Sequence, residues 1–252
     1  MKINKIELKE LLKKLNSGED VSGVKEEARA LLERISPKEL SETEQELINE
    51  GLPETELRHL CEAHIEVMAE ELKALKAEVE EGHPLQVLIV EHDEILKVLD
   101  RLEQANKVIQ EMNSYDCNND VFKELKEVSY LLLETENHHK REEEALFPEV
   151  DYTGVTGPTR IMKMEHEDLW PRKEKIDYLT EHIEKIEFDD FKEELKDNTE
   201  YLILILRDHI FKENHILYPT AKEVIPEGRW EEIKKNSDKI GYCSFTPKDN
   251  KK

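Results

Sequence analysis

Six residues of metal-ligating type stand at spacings that could bring them together: His92, His138, Glu142, His166, His209 and Glu213. Two segments share a local order, His138-His139-Lys140-Arg141-Glu142 leading to Leu146-Phe147-Pro148 and His209-Ile210-Phe211-Lys212-Glu213 leading to Leu217-Tyr218-Pro219. Each has a glutamate four residues after the histidine and a proline ten residues after it. That i,i+4 interval places imidazole and carboxylate on one helical face. His92 sits in a stripe of Leu85, Leu88, Ile89, Ile95, Leu96 and Leu99, and His166 lies between Met162 and Leu169. Burying an unpaired ionisable group costs several kcal/mol, so one such histidine is usually a hydrogen-bonded core residue. Four of them, two with matched glutamates, point to metal. Four imidazoles and two carboxylates can hold two ions, each with two imidazoles and both carboxylates bridging. Mixed nitrogen and oxygen ligation suits iron or manganese better than calcium or magnesium. A second register, His139 with Glu143, is shifted by one residue; the repeated proline favours His138 with Glu142.

Long helices must position these residues. Glycine (8) and proline (9) are scarce, and four helical patterns are predicted at 85–112, 120–147, 158–186 and 190–225. Asn113 to Asn119, Pro148 to Pro158 and Glu187-Phe188-Asp189 separate them. Four antiparallel helices with short loops make an up-down bundle. The fold class is therefore all-α: a four-helix bundle over 83–230, a smaller N-terminal helical domain over 1–82 and a loosely held tail over 231–252. In the N-terminal part, Ser36-Pro37-Lys38-Glu39 reads as a capping box, and Leu57, Leu60, His64, Met68, Leu72, Leu75 and Val79 form a stripe. Pro171 is expected to bend the third bundle helix just past His166. His59, His182 and His215 read as exposed or rim residues, and His83 beside Pro84 as a helix-start residue able to swing toward the bundle end.

Composition excludes several classes. With 37 Lys+Arg against 60 Asp+Glu the net charge is −23, so no basic face is available for nucleic acid. The densest apolar run, Tyr201 to Leu206, is far short of the roughly 18 residues of a membrane span. Met1-Lys2-Ile3-Asn4-Lys5 leads into alternating charges rather than an apolar signal segment, and the expected location is the cytoplasm. Cys61, Cys117 and Cys243 contain no C-x-x-C pair, against a disulfide framework or a cysteine zinc site. No phosphate-binding G-x-x-x-x-G-K-[ST] loop is present, which leaves no NTPase route.

From about residue 84 to 222 the chain resembles the hemerythrin-like HHE cation-binding domain. The histidines His92, His138, His166 and His209 follow one another at intervals of 46, 28 and 43 residues, similar to those of di-iron proteins that repair iron-sulfur clusters. The resemblance implies that His92, His138, Glu142, His166, His209 and Glu213 ligate two iron ions, with or without an oxo bridge and with manganese or zinc as substitutes, and that the glutamates bridge. Oxygen-carrying hemerythrins have a second histidine where this chain has Trp170, which argues against oxygen storage. The N-terminal segment resembles a small helical domain of unknown function that precedes hemerythrin-like domains; its cues are Glu50-Gly51-Leu52-Pro53, Leu60-Cys61-Glu62-Ala63-His64 and Gly82-His83-Pro84. Cys61, His64 and His83 are accessory candidates at the metal site. The implied function is binding or reaction of O2, NO or peroxide in oxidative or nitrosative stress or cluster repair, with a protein redox partner; the alternative is a gas- or redox-sensing module that signals to a partner protein.

Overall fold

The computed structural model describes residue 75 and residues 79–247. The readings placed at 1–74 and 76–78, including the capping box, Cys61 and His64, lie outside the described residues. All regular structure among the described residues is helical. Helix α1 spans Pro84–Gln110, with Pro84 in its first turn and the His83 side chain as its cap. The second rod of the bundle is made of α2 (Asp120–Glu134), α3 (Glu136–Arg141), a π-helical turn Glu142–Leu146 and α4 (Phe147–Tyr152). The third is α5 (Gly157–His182), and the fourth joins α6 (Phe188–Lys212) through a π-helical turn Glu213–Leu217 to α7 (Tyr218–Val224). Helix α1 packs on α2 and α6, and α5 packs on α2 and α6, so the four rods close a ring in chain order. Pro171 lies inside α5, which continues past it to His182.

Both π turns fall in the repeated motif. In each, the amide of the residue before the proline bonds the carbonyl of the motif glutamate five residues back, Phe147 to Glu142 and Tyr218 to Glu213. Pro148 and Pro219 bring no N–H to the ladder, and their rings crowd the carbonyl four residues earlier. The widened turn accommodates both, and π turns of this kind recur at functional sites.

The core consists of two apolar clusters with a polar layer between them. One gathers Ile95, Leu99, Leu102, Leu125, Leu132, Ile176, Leu195 and Leu206. The other gathers Leu85, Leu88, Leu146, Phe147, Met162, Leu217, Trp230 and Ile233, and it also takes in Leu75 and Val79, the last residues of the N-terminal stripe. Between them lie Glu91, His92, His138, His139, Glu142, Glu165, His166, His209 and Glu213, all buried.

Residues 231–247, part of the segment expected as a loose tail, are ordered structure. Helix α8 (Trp230–Ile240) inserts Trp230 and Ile233 into the core and packs on α1, α3 and the first π turn. Gly241, at φ 97°, takes a backbone conformation that a side chain strains. The chain then turns back as a strap in which Cys243 and Thr246 are buried. The misreading came from composition: charged residues (Glu231, Glu232, Lys235, Asp238 and Lys239) cover the outer face of α8, and the buried positions are too few to show as a stripe. No helix among the described residues is long and apolar enough to cross a membrane.

Candidate metal centre

The polar layer is built twice over, by a pseudo-two-fold repeat. Helices α1 and α5 each carry a Glu-His pair, Glu91-His92 and Glu165-His166. The other two rods each carry His-x-x-(Arg/Lys)-Glu, at His138 to Glu142 and His209 to Glu213. The same contacts form in both halves. His138 Nδ1 donates to Glu91 at 2.7 Å, and His209 Nδ1 donates to Glu165 at 2.9 Å. Glu91 is also held by Arg141, and Glu165 by Lys212. His92 Nδ1 donates to Asn214 Oδ1 at 2.8 Å, and His166 Nδ1 donates to Glu143 at 2.6 Å; each partner directly follows a motif glutamate. Thr246 of the strap donates to Glu91 and closes that network.

With their Nδ1 atoms tied outward, the four imidazoles direct Nε2 inward to the carboxylates. His92 Nε2 lies 3.1 Å from Glu213 Oε2, and His209 Nε2 lies 3.1 Å from Glu213 Oε1. Glu142 Oε2 lies 3.6 Å from His138 Nε2 and 3.5 Å from His166 Nε2. Each carboxylate therefore faces imidazoles from both halves. The donor atoms fall into two sets, His92, His138, Glu142 and Glu213 in one and His139, His166 and His209 in the other, each within 4.8 Å of one another.

The sequence-predicted six come together, and His139 joins them. It stacks on His166 with ring centroids 3.9 Å apart and meets His209 edge-on at 5.8 Å. The two registers are thus not alternatives for the histidines: His138 and His139 each enter a different half. Glu143, by contrast, anchors His166 from outside. His83 is not brought to the centre; its Nδ1 accepts from the Leu85 amide at 3.1 Å, and its ring packs on Trp230. His215, expected at the rim, is buried against Phe211.

Sequence reasoning missed Glu91, Glu165, Arg141, Lys212, Lys173 and Tyr218. The Glu-His pair repeated on α1 and α5 was the available signal for the first two. Tyr218 is fully buried, stacks on His92 at 5.4 Å and donates its hydroxyl to Glu142 Oε1 at 2.6 Å.

The donor set fits a metal. Glu142 Oε2 and both carboxylate oxygens of Glu213 are buried and accept no hydrogen bond, a costly arrangement without a cation. Imidazoles that donate one ring N–H to a carboxylate or carbonyl and turn the other nitrogen to the site are the usual setting of metal-ligating histidines. In the bare protein, protons and charge partners compensate. Burial, then the charge of Glu213, pushes the Glu142 carboxyl well up. Burial would also raise Glu213, but His209 first among its neighbours holds it well below the carboxylate range. Burial would lower His209, yet Glu213 and Glu165 raise it to about 9. Burial, then His166, keeps His139 well below its ordinary value. Burial opposes ionisation of Glu91 too, but the hydrogen bond and charge of His138, with Arg141, bring it to about 2.

Lys173 is the remaining buried charge of this layer. Its ammonium donates to Thr135 Oγ1 at 2.6 Å, and burial lowers its pKa from 10.5 to about 8. A depressed lysine penalises the folded state below pH 8, and the penalty fades as pH rises toward 10.5. Lys173→Met is therefore expected to stabilise the metal-free protein at pH 7 by up to about 3 kcal/mol, with the gain vanishing near pH 10.5. Urea unfolding of both proteins across that range checks this; a gain independent of pH would contradict it.

Two family models match the chain. Residues 8–74 match a family of unknown function, DUF438. Residues 83–221, more than half the chain and all of the donor residues, match the hemerythrin HHE cation binding domain. No curated protein is similar enough to the chain to count as a match. With its helical bundle and an inward set of histidines and glutamates able to hold metal, the chain belongs to the hemerythrin HHE cation-binding family.

Proposed function

We propose that the chain is a non-haem di-iron protein whose buried centre binds or reacts with O2, NO or peroxide, in defence against oxidative or nitrosative stress or in repair of iron-sulfur clusters. The observation that carries this reading is the placement of Glu142 and Glu213: two carboxylates with unbonded buried oxygens, each facing imidazoles of both halves. A shared pair of carboxylates suits two adjacent cations better than one. A pair of irons held there would supply reversible electron transfer to a small oxidant.

The protein's own residues do the rest. Glu91 and Glu165 fix the tautomer and ring angle of His138 and His209 and make them better donors. The apolar clusters on both sides of the layer exclude bulk water and strengthen each electrostatic contact inside it. Burial also limits the ligand to a very small molecule, because the donor groups are almost completely covered.

The test is anaerobic loading with ferrous iron followed by rapid mixing with oxygen, nitric oxide or hydrogen peroxide. A change in the visible spectrum with at least one of them, absent from the unloaded protein, is the expected result. A loaded centre inert to all three would overturn the reading and leave a structural metal site.

A further inference from the structure

The pseudo-two-fold repeat is broken at two positions beside the donors, and the two differences compensate each other. One residue after the motif histidine stands His139 in one rod and Ile210 in the other. Nine residues after it stand Phe147 in one and Tyr218 in the other. His139 gives the half containing His166 and His209 a third imidazole, while the half containing His92 and His138 has two. Phe147 packs its ring beside His166 at 6.1 Å and offers no donor atom. Tyr218 packs beside His92 and carries a hydroxyl on the side where an imidazole is lacking.

That hydroxyl lies among the donors. Tyr218 Oη is 3.3 Å from His92 Nε2, 3.5 Å from His138 Nε2 and 2.6 Å from Glu142 Oε1. Ligands about 2.0–2.2 Å from one cation, set at right angles around it, stand about 3 Å apart. The three separations bracket that value.

We propose that Tyr218 is itself a metal ligand, its phenolate oxygen completing the cation site of His92 and His138 as His139 completes the site of His166 and His209. This rests on the di-iron reading. Ligation exchanges the phenol O–H bond for an O–metal bond and releases one proton to solvent; nothing is oxidised or reduced. Apart from the carboxylates between them, each site then has three protein donors but different chemistry, one with an anionic oxygen and one with a third neutral nitrogen.

The test is the protein loaded with ferric iron, beside Tyr218→Phe. The expected wild-type result is an intense visible charge-transfer band from phenolate to iron, with resonance-enhanced tyrosinate ring vibrations. Both should be lost in a Tyr218→Phe protein that retains two irons. Wild-type protein with two irons and no tyrosinate vibrations would overturn the proposal and reduce Tyr218 to a hydrogen-bond donor for Glu142; this readout needs no variant. Matching spectra for the two proteins would overturn it equally. Failure of the wild type to take up iron at all would overturn the di-iron reading, and the ligand role with it.

Discussion

If the centre holds two metals as proposed, Glu213→Ala is expected to abolish binding of both, whereas His139→Ala is expected to abolish one. Glu213 stands between the halves, with Oε2 at 3.1 Å from His92 and Oε1 at 3.1 Å from His209. Its loss takes away the one carboxylate that faces His92 in one half and His209 in the other at 3.1 Å and leaves only Glu142, whose carboxyl burial pushes well up, between the halves. His139 belongs to the His166 and His209 set alone. Removing it returns that half to two imidazoles and leaves the other half complete. Equilibrium dialysis with metal analysis on both variants, with helical content by circular dichroism as the control, separates the cases. Equal losses from the two substitutions would contradict the division into two halves.

Glu91→Ala is expected to produce the second large effect, on stability as well as metal. Glu91 is fully buried and accepts from His138, Arg141 and Thr246. Without it, the Arg141 guanidinium, 2% exposed, is left in the core without its carboxylate, at a cost of about 3–5 kcal/mol. His138 loses its anchor, and loss of such an orienting partner typically weakens metal affinity about 10–100-fold. The double substitution Glu91→Leu, Arg141→Met removes both charges together and is expected to recover most of the stability but none of the affinity. Chemical unfolding of the metal-free proteins and metal titration of the folded ones measure the two effects separately. Recovery of affinity in the double variant would show that Glu91 only neutralises Arg141 and does not position His138.

The bundle was legible because its helices are long and its breaks are marked by Asn, Pro and Gly clusters, and the convergence of the six candidate residues because each interrupts an apolar face. The repeated proline register favours His138 over His139 in the sequence, and an ideal helical period turns only one of two adjacent residues inward. The rod departs from that period on both sides of the pair. At Thr135 the turn tightens, with the His138 amide bonding the Thr135 carbonyl three residues back, and at Glu142 it widens into the π turn. Ahead of the pair, the buried positions on this rod are Leu132 and Thr135. Lys173 left no signal, and Glu91 and Glu165 only the repeated Glu-His pair, because each is a charged residue buried through a partner on another rod. Spacing within one helix carries no record of such pairings. Tyr218 was read as part of a proline motif, and only the fold brings its hydroxyl to Glu142.

The most direct test of a shared two-metal centre is an anaerobic titration of the metal-free protein with ferrous iron, followed by Mössbauer spectroscopy of the oxidised product. Uptake that saturates at two irons per chain, with the ferric pair magnetically coupled, is the predicted result. Saturation at one iron, or two magnetically independent irons, would contradict it.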